Sequence, residues 1–221
     1  MHSASSQGTD LARRHAGRFR VVSYEELREK AMVVADQILA DYSGQQIVAA
    51  PILMGGGLPA RLVIDALLPF GVVGDIVPCR LRRYTGLAEA GEVTFSVKLP
   101  KRRVSGQIVI GMDDLVDGGQ TLEAFREHAL SRGAKEVHEA VMFEKPQSSL
   151  KPKYCAERGV PEWLIMPGEE HEFMRMLRDV DLEVAELPAD ALSDYFVALG
   201  LPKATVVAWQ RLQDKALQPE A

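Results

Sequence analysis

Cysteine is scarce. The 221 residues contain two, Cys79 and Cys155, far apart and in no metal-ligand spacing. That excludes a disulfide framework and a cysteine-rich zinc module, and leaves free thiols in a reducing compartment as the expectation. An excess of positive charge is also lacking. With 26 Lys and Arg against 31 Asp and Glu, the net charge is -5, so no global basic field exists for nucleic acid. No apolar run approaches the ~18 residues needed to span a bilayer, which argues against a membrane partner. The opening "MHSASSQGTDLARRH" has no apolar h-region. No secretory signal is therefore expected, residues 1–20 read as a polar, flexible segment, and the location implied is cytoplasmic. Repeats and low-complexity tracts are absent too.

What remains is an ordinary globular composition, 47% hydrophobic and 26% charged, long enough for one domain with or without an appendage. "YEELREKAMVVADQILADY" places Leu27, Ala31, Val34, Ala35, Ile38 and Leu39 at helical spacing, with Ser23 and Glu26 as a capping-box pair. "QQIVAAPIL", "VVGDIVPCRL", "GQIVIGM" and "EVHEAVMFE" read as strands, mostly buried, and "VTFSVKL" as a half-buried one. "ARLVIDALL" and "TLEAFREHALSRG" read as helices between them. Strand, loop and helix in alternation predict an α/β fold, a parallel sheet flanked by helices, with ligands at the carboxyl ends of the strands. Both glycine-rich loops, "MGGGLPA" and "LVDGGQTL", fall there. Beyond Glu144 the pattern breaks into a proline-rich excursion, then "WLIM" as a short strand. Two helices, "PADALSDYFVALG" and "KATVVAWQRLQDKAL", are expected to end the chain.

The stretch "VIGMDDLVDGGQTL" concentrates Asp113, Asp114 and Asp117 beside Gly118, Gly119, Gln120 and Thr121. Backbone N–H groups at a helix N-terminus cradle an anion, glycine lets the chain approach it, and Thr121 adds a hydroxyl. Vicinal carboxylates suit a sugar diol, because each accepts two hydrogen bonds, and they can hold Mg²⁺ directly or through water. Asp117, next to the cradle, could face the anomeric carbon of a sugar phosphate and move a proton on an incoming base. The plainer alternative is an acidic, solvated turn that caps a helix.

The same stretch resembles the phosphoribosyl pyrophosphate signature of type I phosphoribosyltransferases. That signature runs apolar strand, two acids, two aliphatics, Asp, Thr, Gly, any residue, Thr. The match covers Asp113, Asp114, Asp117, Gly119 and Thr121, while Gly118 stands where the family usually carries Thr or Ser. "PILMGGGLPAR" is similar to the family's pyrophosphate loop, in which a basic residue usually precedes a glycine pair. If Gly56 and Gly57 are the pair, Gly55 holds that place. "RLRRYTGLAEAGEVTF" resembles the mobile hood loop, with Tyr84 in its Ser-Tyr position and Arg82 and Arg83 as pyrophosphate contacts.

"AVMFEKPQSSLKPKYCAERGVPEWLIMPGEE" is similar to the base-binding segment of the hypoxanthine, guanine and xanthine branch. The resemblance implies that Lys145 donates to a purine 6-oxo group, that Trp163 stacks on the base, and that Leu164 supplies backbone contacts. It implies Asp113, Asp114 and Glu169 near Mg²⁺, a homodimer, and phosphoribosyl pyrophosphate and a purine base as partners. It spans Val21 to Phe173. The expected organisation is residues 1–20 flexible, 21–173 a phosphoribosyltransferase domain, and 174–221 a C-terminal helical extension. Three alternatives follow from the residues. One is a non-catalytic ligand sensor, with the last two helices as a helix-turn-helix bearing Lys203, Arg211 and Lys215. The others are a nucleotide N-glycosidic-bond enzyme and a transferase with a non-purine acceptor.

Overall fold

The structure is a computed structural model that describes residues 4–83 and 93–216. The chain begins with helix α1 (Ala4–Arg14) and strand β1 (Phe19–Val21), followed by α2 (Tyr24–Tyr42), β2 (Ile47–Leu53) and α3 (Gly57–Leu67). Strands β3 (Val73–Ile76), β4 (Cys79–Arg83) and β5 (Val93–Val97) precede the short α4 (Lys101–Val104). Then come β6 (Ile108–Val116), α5 (Gln120–Ser131), β7 (Glu136–Glu144) and β8 (Tyr154–Arg158). Last are β9 (Trp163–Ile165), α6 (Glu170–Val180), α7 (Leu182–Ala185), α8 (Ala189–Ala198) and α9 (Lys203–Ala216). They fall into two compact units, one from Glu25 to Pro161 and one that joins residues up to Tyr24 with those from Glu162 onward.

The larger unit is the expected α/β layer. Its sheet runs β5-β4-β2-β6-β7-β8, with β3 also paired to β2. All pairs are parallel except the β4–β5 edge. Strand β2 is a continuous apolar run, and β6 and β7 contain such runs at residues 108–112 and 140–143, because helices cover both faces of a parallel sheet. The register pairs Pro51 with Met112, so β2 and β6 end side by side and bring their loops to one edge. Helix α2 buries Leu27, Ala31, Val34, Ala35 and Ile38 as its periodicity predicts, with Tyr42 completing the face.

Three expectations change. "VVGDIVPCRL" is two strands, β3 and β4, paired at different points along β2. The proline-rich excursion contains β8, which extends the sheet beyond β7. Arg82 and Arg83 lie in β4 rather than in a loop, their backbones paired to Thr94 and Val93. Tyr84 and the rest of the hood stretch, 84–92, lie outside the described residues.

The smaller unit corrects the reading of both termini. The segment expected to be flexible forms α1, and a boundary at residue 173 would cut α6. Strand β1 pairs with β9 in parallel, Phe19 opposite Trp163 and Val21 opposite Ile165. Leu11, Phe173, Met174, Tyr195, Phe196 and Trp209 are among the residues of its core. Edge-to-face rings tie it together: Phe19 and Phe173 are 5.1 Å apart and Phe196 and Trp209 5.8 Å. Helices α8 and α9 turn Leu192, Tyr195, Phe196, Val206 and Trp209 into this core.

At the end of β7 the buried Glu144 carboxylate receives both Lys151 Nζ and the Arg158 guanidinium, and Arg158 also donates to the Pro152 carbonyl at 2.9 Å. Burial works to raise the Glu144 carboxyl, but the two cations outweigh it and hold it below the usual range. A folded-state pKa below the unfolded one gives stability that is fully present above the ordinary glutamate value of about 4.3 and is lost as pH falls through the lowered value. Glu144→Gln should therefore cost roughly 1–3 kcal/mol near neutral pH, with the gap to the parent shrinking toward about pH 3. Urea unfolding across that range checks it, and a pH-independent gap would contradict the ion-pair account.

Candidate active site

The acidic loop grows out of the carboxyl end of β6. Asp113 Oδ1 accepts the Asp114 N–H at 3.0 Å, and Asp114 Oδ1 accepts the Leu115 N–H at 2.8 Å. Burial raises the Asp114 carboxyl above the ordinary aspartate range, against the opposing pull of Asp113 and of backbone N–H groups. The charge of Asp113, after burial itself, helps push the neighbouring Cys79 thiol up to about 12, so that this cysteine is no nucleophile. Asp117 is exposed. Gly119 caps α5 with φ at 101°, a left-handed conformation, and its carbonyl accepts the Glu123 N–H at 3.0 Å. The consecutive residues Asp113 to Leu122 line a cavity of about 170 Å³. The acids, the cradle of residues 118–121 and the helix N-terminus therefore do meet in one hollow.

The glycine loop after β2 closes on this hollow from the neighbouring strand. A Cβ on Gly55 would lie 2.8 Å from Asp114 Oδ1, and one on Gly56 would lie 2.3 Å from the Met112 carbonyl oxygen. At Gly57 the nearest neighbour would be a side chain at 3.4 Å, an ordinary contact. The two positions without room are therefore Gly55 and Gly56, one residue earlier than the conditional pair of Gly56 and Gly57. The residue before that pair is Met54, which is 74% exposed and uncharged.

At Gly118 an added Cβ would meet the Gln120 carboxamide, with Oε1 at 2.4 Å and Nε2 at 2.9 Å. The space left by the missing hydroxyl residue is thus filled by the amide of Gln120, which keeps a polar group at that corner. Two further contributors carried no recognisable signal in the sequence. Gln147 donates through Nε2 to Asp117 Oδ1, and Ser149 Oγ donates to the Gly118 carbonyl at 2.8 Å.

Lys145 belongs to the larger unit. It is buried, and its backbone N–H donates to the Val116 carbonyl at 2.9 Å. Trp163 and Leu164 belong to the smaller unit, on β9. There Trp163, Leu164, Glu169, Glu172 and Phe173 are among the residues around a second cavity of about 200 Å³, and Trp163 is 55% exposed. Among the described residues no group of three or more His, Cys, Asp or Glu side chains is arranged to hold a metal. Asp113 and Asp114 lie side by side on β6, while Glu169 is in the smaller unit.

The family model described as "Phosphoribosyl transferase domain" matches residues 23–169. Hypoxanthine-guanine phosphoribosyltransferases of Streptococcus pneumoniae R6 and Streptococcus agalactiae 2603 V/R are similar to the chain. Each is 26% identical, over 130 and 133 residues respectively, 58% of this chain and 69% of the relative. Among solved structures, a purine phosphoribosyltransferase from Pyrococcus horikoshii superposes with a TM-score of 0.59 at 22% identity, over 68% of this chain and 94% of that one. A hypoxanthine phosphoribosyltransferase from Staphylococcus aureus does so with a TM-score of 0.54 at 22% identity, over 62% and 75%. These structures share the fold.

The site geometry has a direct test in stability. Gly119→Ala forces a side chain into φ 101° and against Leu150 Cβ at 2.9 Å, and should cost roughly 1–3 kcal/mol. Gly118→Ala meets only the movable end of Gln120 and should cost under about 1 kcal/mol. Equal losses in urea unfolding would show that the turn does not require the left-handed residue.

Proposed function

The chain belongs to the phosphoribosyltransferase family, and from that premise we propose that it moves ribose 5-phosphate from phosphoribosyl pyrophosphate to a 6-oxo purine. The supporting observation is the single hollow in which three carboxylates, the glycine turn at 118–119 and the N-terminus of α5 converge, with Gly55 packed closely against the Asp114 carboxylate. In this reading the bond from the anomeric carbon to the pyrophosphate oxygen breaks, and a bond to purine nitrogen forms. Positive charge grows on the sugar between. Backbone N–H groups of residues 118–121, the Thr121 hydroxyl and the Gln120 amide hold the 5'-phosphate. Asp113 and Asp114 accept from the ribose hydroxyls, and Asp117 exchanges a proton with the purine N7 edge while stabilising the cationic sugar.

Two carboxylates are the usual protein share of a Mg²⁺ site, because the ion keeps waters and takes the remaining oxygens from substrate phosphates. Asp113 and Asp114 fit that share, and Mg²⁺ bound there would neutralise charge on the departing pyrophosphate. Lys145 supplies the donor for O6, which a 6-amino purine would not accept. Trp163 and Leu164 serve the base as ring and backbone, and Arg82, Arg83 and Tyr84 serve the pyrophosphate. A homodimer follows from the family resemblance alone.

A panel of hypoxanthine, guanine, xanthine and adenine with phosphoribosyl pyrophosphate and Mg²⁺, read by pyrophosphate release, tests the proposal. Turnover of the 6-oxo bases over adenine is expected. Free base released from a 5'-monophosphate without pyrophosphate would instead favour an N-glycosidic-bond enzyme, the alternative that the uncharged Met54 keeps in play.

Lys145→Met keeps most of the stem and removes the donor. It should weaken 6-oxo purine binding by roughly 1.5–3 kcal/mol, measured by calorimetry on the nucleotide product, with little effect on phosphoribosyl pyrophosphate. Equal affinity in parent and variant would remove Lys145 from the pocket.

The glycine loop offers a gain-of-function test. Met54→Lys places a cation at the exposed position before the tight pair and should lower KM for phosphoribosyl pyrophosphate on the order of three- to tenfold. Gly55→Lys, which collides with Asp114, should instead raise it. The opposite ranking would restore Gly55 as the place of the cation.

A further inference from the structure

One interaction in the hollow remains unused by the reaction as described. The segment after β7 is fastened to the acidic loop at the two residues that flank Asp117. The Lys145 N–H donates to the Val116 carbonyl at 2.9 Å. Ser149 donates to the Gly118 carbonyl through Oγ at 2.8 Å and through its N–H at 3.4 Å. Between these fixed points the chain turns, with the Ser148 N–H on the Lys145 carbonyl at 3.1 Å and the buried Ser148 Oγ on the Leu150 carbonyl at 2.7 Å. Gln147 sits on that turn opposite Asp117, and its Nε2 donates to Asp117 Oδ1. Ser149 Oγ is also 3.2 Å from Glu123 Oε1, which ties the same segment to the first turn of α5.

We propose that Gln147 is a positioning residue for Asp117. Its carboxamide fixes one carboxylate oxygen so that the other is aimed at the reacting base and sugar. This inference rests on the catalytic role proposed above for Asp117. An exposed aspartate on a loop samples several rotamers, and a carboxylate that must meet a purine edge in one geometry loses rate when its direction wanders. A carboxamide suits the task. It is neutral, so it leaves the negative charge of Asp117 available to the cationic sugar. It does not titrate, so its hold is the same at every working pH. A lysine or arginine in that place would orient the carboxylate equally well but cancel the charge the transition state uses.

The test combines kinetics with a spectroscopic readout. Gln147→Met keeps the length of the side chain and removes the donor, and Gln147→Glu replaces the donor with a second carboxylate. The Met variant should lose kcat on the order of tenfold while KM for phosphoribosyl pyrophosphate changes by less than about threefold. The Glu variant should lose more, and both should keep the parent's urea midpoint. In an Asp117→Ala background, Gln147→Met should cause no further loss, because the pair acts as one unit.

Independently, the Gln147 side-chain amide protons in a ¹⁵N–¹H spectrum should stand away from free carboxamide positions and return to them in Asp117→Ala. Free positions in the parent, or additive kinetic losses, would overturn the proposal while leaving the transferase reading intact. Full turnover in Asp117→Ala would instead sink the catalytic role of Asp117, and the positioning role with it. If no purine supports turnover, adding phosphoribosyl pyrophosphate to the spectrum still decides: unmoved Gln147 amide signals place the residue away from the ligand and overturn the proposal.

Discussion

The carbonyls of Val116 and Gly118 take hydrogen bonds from the segment that follows β7, and the shape of the acidic loop depends on them. Asp113 and Asp114 are held by the pairing of β6 with β7, but Asp117 lies on the exposed loop beyond it, which would otherwise be free to move away from its like-charged neighbours. The strap suppresses that freedom at two points. It is itself held from behind by the Glu144 ion pairs with Lys151 and Arg158, and its Leu150 packs against Gly119. The left-handed turn at Gly119 then starts α5 with its N–H groups facing the hollow. One fastening thus sets the direction of Asp117, the opening of the anion cradle and the exit of the base-side lysine.

The same dependence explains what the sequence made legible. The central strands announce themselves because burial on both faces leaves continuous apolar runs in β2, in residues 108–112 of β6 and in residues 140–143 of β7. The acidic loop is legible because glycine and aspartate at that spacing serve few purposes besides a turn that meets an anion. Helix α2 is legible because a two-sided amphipathic helix carries its period in its own residues. In each case the determinant is local.

What was not legible is what the fold makes from distant or featureless pieces. β1 is three residues, too short for a period of two to register, and its partner β9, read from "WLIM" as a short strand, lies more than 140 residues further along the chain. The N-terminal segment is polar in composition, yet Leu11 and Ala12 suffice to seat α1 in a core supplied by Tyr195, Phe196 and Trp209. The strand within the excursion, "YCAER", has neither alternation nor a continuous apolar run. Gln147 and Ser149 are polar residues in a polar stretch, and only the geometry of the strap separates them from their neighbours. Which two of the three consecutive glycines form the pair stays open in the sequence, because they look alike there. Only the positions of Asp114 and of the Met112 carbonyl distinguish Gly55 and Gly56 from Gly57.

Electrostatics decides how such a hollow can receive its substrate. Among the described residues around the cavity are three aspartates and neither lysine nor arginine. A helix N-terminus offers roughly half an elementary charge, enough to favour one phosphate but small beside the charge of a pyrophosphate ester. Met54, at the tip of the adjoining loop, adds nothing to that balance. Two unit charges about 4 Å apart still interact by ~4 kcal/mol at the effective dielectric of a protein surface. Under the proposed reaction the substrate therefore needs a cation to lie against Asp113 and Asp114. Substrate and ion are then expected to enter as one complex, with the neutral amides of Gln120 and Gln147 orienting groups whose charges the ion has balanced.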